Sequence, residues 1–421
     1  MKQQTQDRME KALVFVMAGL SLYSFIRHFI VIPVTTLGVD YKKHWMAADA
    51  ILRGVTPYQG EELYLGFNYP LLTGFIFLYL RAFPYEVSEL PWDIGNALFV
   101  MAGYLLLAFG LWPKNAKRSA ETGLDGWVLN FLIRYWPLFT FVIISHFQPL
   151  HRVMIAANID PFNFFLACGL AVCFVQRKEK LAGIFLIFLS LVKIAPVLLW
   201  VPVAGCRRWK VLVTMFSGLT LYLVFLLVSG FWRWEIFLYQ ETLPRIPFYW
   251  QDISLSIHKF AALHLLPHAL EDEHLYRHLV LGINIAIALP YMALIAWWSL
   301  RKKAGNHALM LAFGMPMVLI FTPLLEINHF VWAAPAMFLQ LREWIFGRLS
   351  MRLFAALGLA WGGVMAMETL AQLPLYFSLP FHNITFQVIW LVLLALISGV
   401  AAFRGDAPET STPSADQAAV A

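Results

Sequence analysis

Apolar runs of about 20 residues, the length that crosses a hydrocarbon core of about 30 Å, recur along this chain at 12–34, 211–230, 279–300 and 384–403. Short basic clusters separate them. In lipid, a backbone can satisfy its own N–H and C=O groups only as a helix or as a closed barrel. The runs here are continuous rather than alternating, which points to helices. Composition agrees: 60% of the 421 residues are hydrophobic and 13% are charged, against about a quarter charged in soluble domains. The expected fold class is therefore an all-α integral membrane protein. Residues 1–403 read as one polytopic domain. Residues 404–421, rich in Ala, Ser, Thr, Pro and Asp, read as a disordered cytoplasmic tail.

The formal charge of +6 does not suggest a nucleic-acid partner, because Lys and Arg sit in short groups at the ends of apolar runs. The cysteines, Cys168, Cys173 and Cys206, lie in or beside those runs and imply no disulfide framework. No small-residue cleavage site follows the first run, which reads as a retained first helix. Basic clusters face the cytoplasm, so the N-terminus with Lys2, Arg8 and Lys11 is placed inside. Spans follow at 12–34, 89–112, 127–146 and 161–176. Residues 181–205 look like one helix, yet Arg177, Lys178 and Lys180 precede them, and Arg207, Arg208 and Lys210 follow. A hairpin keeps both flanks inside, with its bend at Lys193 to Pro196, where proline disfavours helix in the residue before it. Further spans at 211–230, 279–300, 307–325, 330–341, 353–371 and 384–403 give about twelve crossings. Large outside loops lie at 35–88 and 231–278.

The first outside loop opens with Asp40. A stretch from Tyr41 to Leu52 has the spacing of an amphipathic helix, with Gly54 to end it. Residues 71–83 are apolar but short, and read as an interfacial or half-buried helix. Asp40 has two readings, an N-cap for the helix that follows or a general base. Lys193 is either a snorkelling lysine or a ligand at the hairpin tip. His329 and Glu326 share a short turn, where a surface role competes with a binding one. Arg27 lies in the outer half of the first span, and Asn158 and Asp160 lie in a third outside turn. There is no HExxH, Cys/His cluster, P-loop or Gly-rich dinucleotide fingerprint, so no metal site or cofactor is expected.

Taken in order, the motifs resemble glycosyltransferase family 87, integral-membrane mannosyltransferases of the GT-C superfamily. The resemblance rests first on Asp40, Tyr41, Trp45, Ala47, Ala48, Ala50, Ile51, Gly54, Pro57 and Tyr58, then on Phe67, Tyr69 and Pro70. It continues through Leu181-Ala182-Gly183, Leu191 to Pro196, Ser254-Leu255 to Lys259, and Thr322-Pro323-Leu324 to His329. The likeness implies a GT-C-like bundle with interfacial helices in its outside loops. It implies a polyprenyl-phosphate sugar donor, a lipid or glycan acceptor, and a site on the extracytoplasmic side of the plasma membrane. By the same likeness, Asp40 is the expected general base of an inverting transfer. Lys193 and His329, with Arg27 as a helper, are expected to bind the donor phosphate. Tyr41, Tyr58, Tyr69, Asn158, Asp160 and Glu326 are the expected substrate contacts. The chain departs from the family where Ala157-Asn158-Ile159-Asp160 stands for a common Gly-Gln-x-Asn, and where Glu326 and Asn328 replace common Trp and His. The sugar is where it is expected to differ. A lipid-linked glycan ligase or polymerase, or a lipid or sugar transporter, are the competing classes.

Overall fold

The structure, a computed structural model, describes residues 2–36, 38, 40–59, 67–114, 116, 124–251, 254–301, 306–371 and 383–404. All regular structure among them is helical. Of the expected tail at 404–421, Arg404 ends the last helix; residues 405–421, the basic residues at 117–118 and the loop at 372–382 lie outside the described residues. The first span is α1 (Lys2–Ile26), which passes through a π-helical turn (Arg27–Val31) into α2 (Ile32–Thr35). The first outside loop carries α3 (Tyr41–Leu52), α4 (Leu71–Ile76) and a 3₁₀ turn (Leu78–Ala82). Then come α5 (Tyr85–Gly110), α6 (Leu124–Arg134), α7 (Trp136–Ser145), α8 (Gln148–Ile155), α9 (Asp160–Val175) and α10 (Glu179–Val192). A 3₁₀ turn (Ala195–Leu199) leads into α11 (Trp200–Gly205), followed by α12 (Trp209–Ser229), α13 (Trp232–Phe237), α14 (Leu243–Tyr249) and α15 (Ile257–Leu265). The remainder is α16 (Glu273–Leu300), α17 (His307–Ile320), a 3₁₀ turn (Ile327–Trp332), α18 (Ala334–Ile345), α19 (Met351–Ala371) and α20 (Asn383–Arg404).

Among the described residues, five helices are long and apolar enough to cross a membrane, and a sixth span exists if α6 and α7 count as one. The expectation of about twelve crossings is not met by length. The reason is physical. α17 has 14 residues, all buried but His307, whereas the span in α16 is 11% buried. Hydropathy reads both alike, although one is apolar because it packs among helices and the other because it faces outward. The expected span 127–146 also departs from a straight helix. It bends by 82° between α6 and α7, at Tyr135, with Pro137 entering the first turn of α7, where the missing N–H is harmless.

The hairpin at 181–205 breaks where proline chemistry placed it. α10 ends at Val192, and Lys193 is extended (φ −139°, ψ 134°). The break leaves the Val192 carbonyl without a helical donor, and the Thr73 hydroxyl of α4 supplies one at 3.1 Å. Both basic flanks return to one end. Arg208 pairs with Glu179 at 2.8 Å, and Arg207 donates to the Ser299 carbonyl at the end of α16. Gln176 reaches the Gly110 carbonyl, which joins the ends of α9 and α5. Arg342 and Arg348 hold the buried Glu343 near the start of α17, where Asn306 also donates to it. The basic clusters therefore gather at one end of the helices.

This polarity generates a labelling prediction. In right-side-out vesicles, cysteines replacing Lys178 and Arg208 should resist a membrane-impermeant maleimide, while one replacing the exposed Trp250 should react. Reaction at Arg208→Cys from outside would break the hairpin topology.

Candidate functional site

At the opposite end from the basic clusters, four separate segments converge. The first is the N-terminus of α3. Asp40 occupies the N-cap position, yet its side chain makes no capping hydrogen bond. It turns instead to Asn158, whose Nδ2 donates to Oδ2 at 2.8 Å across 118 residues of sequence. Lys43, one turn along α3, donates to Oδ1 at 3.2 Å. The backbone is seated as well, because the Asp40 N–H donates to the Ala156 carbonyl at 3.0 Å. Of the two readings of Asp40, the geometry leaves the cap without support.

The seat depends on a close approach. A Cβ on Gly38 would lie 2.2 Å from the Ala157 Cβ and 2.9 Å from the Ala156 carbonyl carbon. The Gly38 N–H donates to Glu89 at 2.6 Å, which fixes the segment to α5. The receiving strand of chain is equally constrained. Ala157 adopts φ 49°, a region uncommon for a residue with a Cβ. α5 holds it there, with the Trp92 indole donating to the Ala157 carbonyl and Asn96 to the Asn158 carbonyl.

The second half of the site is built on Asp160, the first residue of α9. It is fully buried. Oδ2 accepts from Lys193 Nζ at 2.8 Å, and Oδ1 accepts from Asn163 Nδ2 and from the Trp332 indole, both at 2.9 Å. Its own N–H donates to Asn158 Oδ1 at 3.2 Å. Asn158 thus joins Asp40 to the Asp160–Lys193 pair. Lys193 is buried rather than snorkelling. Its ammonium lies 4.9 Å from the Trp332 ring and 5.4 Å from the Tyr69 ring, within reach of cation–π attraction.

The 3₁₀ turn after Glu326 closes the group. His329 is buried, and its Nδ1 accepts from the Glu326 N–H at 3.2 Å. That assignment puts the ring proton on Nε2. Burial, with the nearby Lys193 charge, holds the His329 pKa well below the usual range. His329 can therefore offer an N–H donor but not a cation. Burial pushes the Glu326 carboxyl up, and Lys193 opposes that shift. Asn328 donates to Glu326 at 3.0 Å.

The remaining expected residues fall in different places. Tyr69 is buried beside Asn158 and joins the cluster. The Tyr41 hydroxyl donates to Ser88 at 2.6 Å, and the Tyr58 hydroxyl to the Tyr69 carbonyl at 2.9 Å, so both tyrosines hold the first loop together. Arg27 is exposed on the first span and donates weakly to Tyr23 at 3.5 Å. The sequence reading passed over Trp332, Asn163, His44 and the pairing role of Lys43. Lys43 could have been found, since i,i+3 neighbours on a helix meet. Trp332 could not, because only the fold brings it to Asp160.

His44 is fully buried, stacked on Phe77 with ring centroids 4.2 Å apart, and 4.9 Å from Tyr69. Neither ring nitrogen has a hydrogen-bond partner among the described residues. Burial pushes its pKa down to about 3.

Membrane-length helices, basic clusters at one end and a dense polar cluster at the other define a polytopic helical membrane protein with a single-ended site. The sequence model of glycosyltransferase family 87 matches residues 67–325. The chain belongs to that family and is a glycosyltransferase. The matched range includes Tyr69, Asn158, Asp160 and Lys193, while Asp40, Glu326 and His329 lie outside it. No curated protein matches the chain.

Two predictions follow from this geometry. Gly38→Ala should overpack the seat, at a cost of about 1–3 kcal/mol, and lower Tm. Displacing Asp40 by even 1 Å should reduce turnover about 10²-fold, and wild-type turnover would make the seat dispensable. The second concerns acid. His44 is neutral when folded and has an ordinary pKa when unfolded, so its stability contribution is complete above about 6.5 and declines as pH falls toward 3. Asp40, Lys43, Lys193 and Asp160 are the charges that face it. At pH 5 the loss is on the order of 2 kcal/mol. His151 and His258, pushed down to about 4 by burial, titrate in the same window, so the comparison must be with wild type. His44→Phe should lose less Tm between pH 7 and pH 5. An identical loss would show that His44 does not titrate on unfolding.

Proposed function

We propose that the protein transfers a hexosyl unit, mannose first among hexoses, from a polyprenyl-phosphate sugar to a lipid or glycan acceptor. The reading places the site on the extracytoplasmic side of the plasma membrane, in a GT-C-like bundle whose shorter apolar helices complete the crossings. The observation that carries it is the link Asp40–Asn158–Asp160–Lys193, which sets a carboxylate and an ammonium from distant segments on one hydrogen-bonded relay.

The chemistry then divides between the two ends of the relay. An acceptor hydroxyl attacks the anomeric carbon, its proton passes to Asp40, and the bond from that carbon to the phosphate oxygen breaks with inversion. Polyprenyl phosphate leaves. A carboxylate has about four lone-pair positions. Lys43 and Asn158 use one on each oxygen, so acceptor geometry remains open. Lys193 has three N–H donors, and one is engaged by Asp160, which leaves others for the phosphate. His329 adds a neutral Nε2–H donor. Stabilising charge that develops on a leaving phosphate is the larger electrostatic contribution in such a site.

Asp40→Asn keeps the shape and loses the base. Turnover with a polyprenyl-phosphate mannose donor should fall by about 10² or more, while a non-reactive polyprenyl-phosphate analogue binds with unchanged affinity. Lys193→Ala should weaken the analogue as well as turnover. Because removing one member of a buried pair destabilises by about 3–5 kcal/mol, Lys193→Arg, which keeps the charge but not the point geometry, is measured beside it. Near-full turnover of Asp40→Asn would remove the base role. Wild-type analogue affinity in both Lys193 variants would remove Lys193 from the donor site.

A further inference from the structure

α3 has two faces. Tyr41, His44, Ala47, Ala48 and Ile51 are buried against the loop and α5. The other face, with Lys42, Trp45, Met46, Asp49 and Arg53 at helical spacing, lines an open cleft of about 470 Å³. Val55, Thr56, Gln59 and Tyr85 complete its wall. The cleft is distinct from the Asp40 cluster and takes no part in the chemistry above.

Its walls are of two kinds. Trp45 and Tyr85 form an aromatic corner, with ring centroids 5.3 Å apart and planes at 73°. The Arg81 guanidinium covers Trp45 at 4.2 Å, which fixes the indole. Beside the corner lie charged and neutral polar groups. Both oxygens of Asp49 are engaged, Oδ1 by Arg81 at 2.7 Å and Oδ2 by Arg53. One carboxylate thus faces two guanidiniums, with Lys42 beside them, so the cleft is net positive, and Thr56 and Gln59 add neutral polar groups. An aromatic corner beside hydroxyl-matching donors and acceptors suits a sugar ring, whose C–H face is apolar and whose rim is polar. The positive charge would also draw an anionic headgroup, but such a headgroup has no need of the aromatic corner, and it is the competing outcome of the test.

Position supplies the rest. At 1.5 Å per residue, Trp45 and Asp49 lie about 7 and 13 Å along α3 from Asp40. A glycan with its reactive hydroxyl at Asp40 would run along α3 into this cleft. We propose that the Trp45–Tyr85 cleft is a carbohydrate subsite that binds a non-reacting sugar of the acceptor. The proposal rests on the transferase reading for its occupant, but its test does not need turnover.

The full chain in lipid nanodiscs is titrated with α-linked mannobiose by saturation-transfer difference NMR. Wild type and Asp40→Asn should both saturate the disaccharide. Trp45→Leu, which keeps apolar bulk without the ring, should weaken it about 10-fold or more, and Trp45→Phe should recover part of the signal. A Tm close to wild type shows that each variant is folded. Absence of saturation in wild type would overturn the subsite. So would equal affinity in Trp45→Leu, or displacement of the sugar by glycerol 3-phosphate as a better ligand. Transfer failing in wild type while mannobiose still binds at Trp45 would overturn the reaction and leave the subsite standing.

Discussion

The ion pair between Asp160 and Lys193 is the interaction on which the polar end of this protein depends. A buried pair of charges gains little unless its remaining hydrogen-bonding positions are filled. Here Asn163 and Trp332 fill the other oxygen of Asp160. The pair therefore draws three segments together: the start of α9, the break after α10 and the 3₁₀ turn before α18. Break and pair explain each other. An extended residue at 193 lets the lysine leave the helix axis, and the freed Val192 carbonyl is met by Thr73 from the first loop.

The pair also positions what it does not touch. The N–H of Asp160 fixes the Asn158 side chain, and that side chain directs its amide toward Asp40. α5 supports the turn from behind through Trp92 and Asn96, and holds Gly38 of the Asp40 segment through Glu89. The first outside loop is tied in from its far side. The buried Glu235 of α13 accepts from the Leu71 N–H at 3.0 Å, and Tyr222 accepts from the Leu72 N–H. Burial pushes the Glu235 carboxyl up to about 7. The two large loops thus meet at the first turn of α4, directly beside Thr73 and the Lys193 break.

The molecule is polar along its helices. One end collects arginines and lysines whose charges are met by Glu179 and Glu343 or left to water. The other carries cations too, Lys43 and Arg81 among them, but it gathers the carboxylates and amides of the Asp40 and Asp160 cluster around the buried Lys193.

Much of this was written in local sequence. The spacing from Tyr41 to Leu52 marked out the amphipathic helix with its observed bounds, and Gly54, at φ 72°, ends it as glycine chemistry requires. Proline at 196 and matched basic flanks located the hairpin break. Motif order identified the family, and it singled out Asp40, Lys193, Asn158 and Asp160. Other features could not be read there. Hydropathy cannot separate a helix apolar for lipid from one apolar for its neighbours, so the mostly buried α9 and α17 read the same in sequence as the outward-facing α16. Residue type left Asp40 open between cap and base, because both uses need a carboxylate at the same position. The contacts with Asn158, across 118 residues, and with Lys43 take the two oxygens in place of a capping bond to the α3 backbone. The neutrality of His329 likewise depends on burial and on the Glu326 N–H. Sequence sets local backbone preference and apolar pattern. Which polar groups meet, and in what protonation state, is decided by packing between segments that the sequence holds far apart.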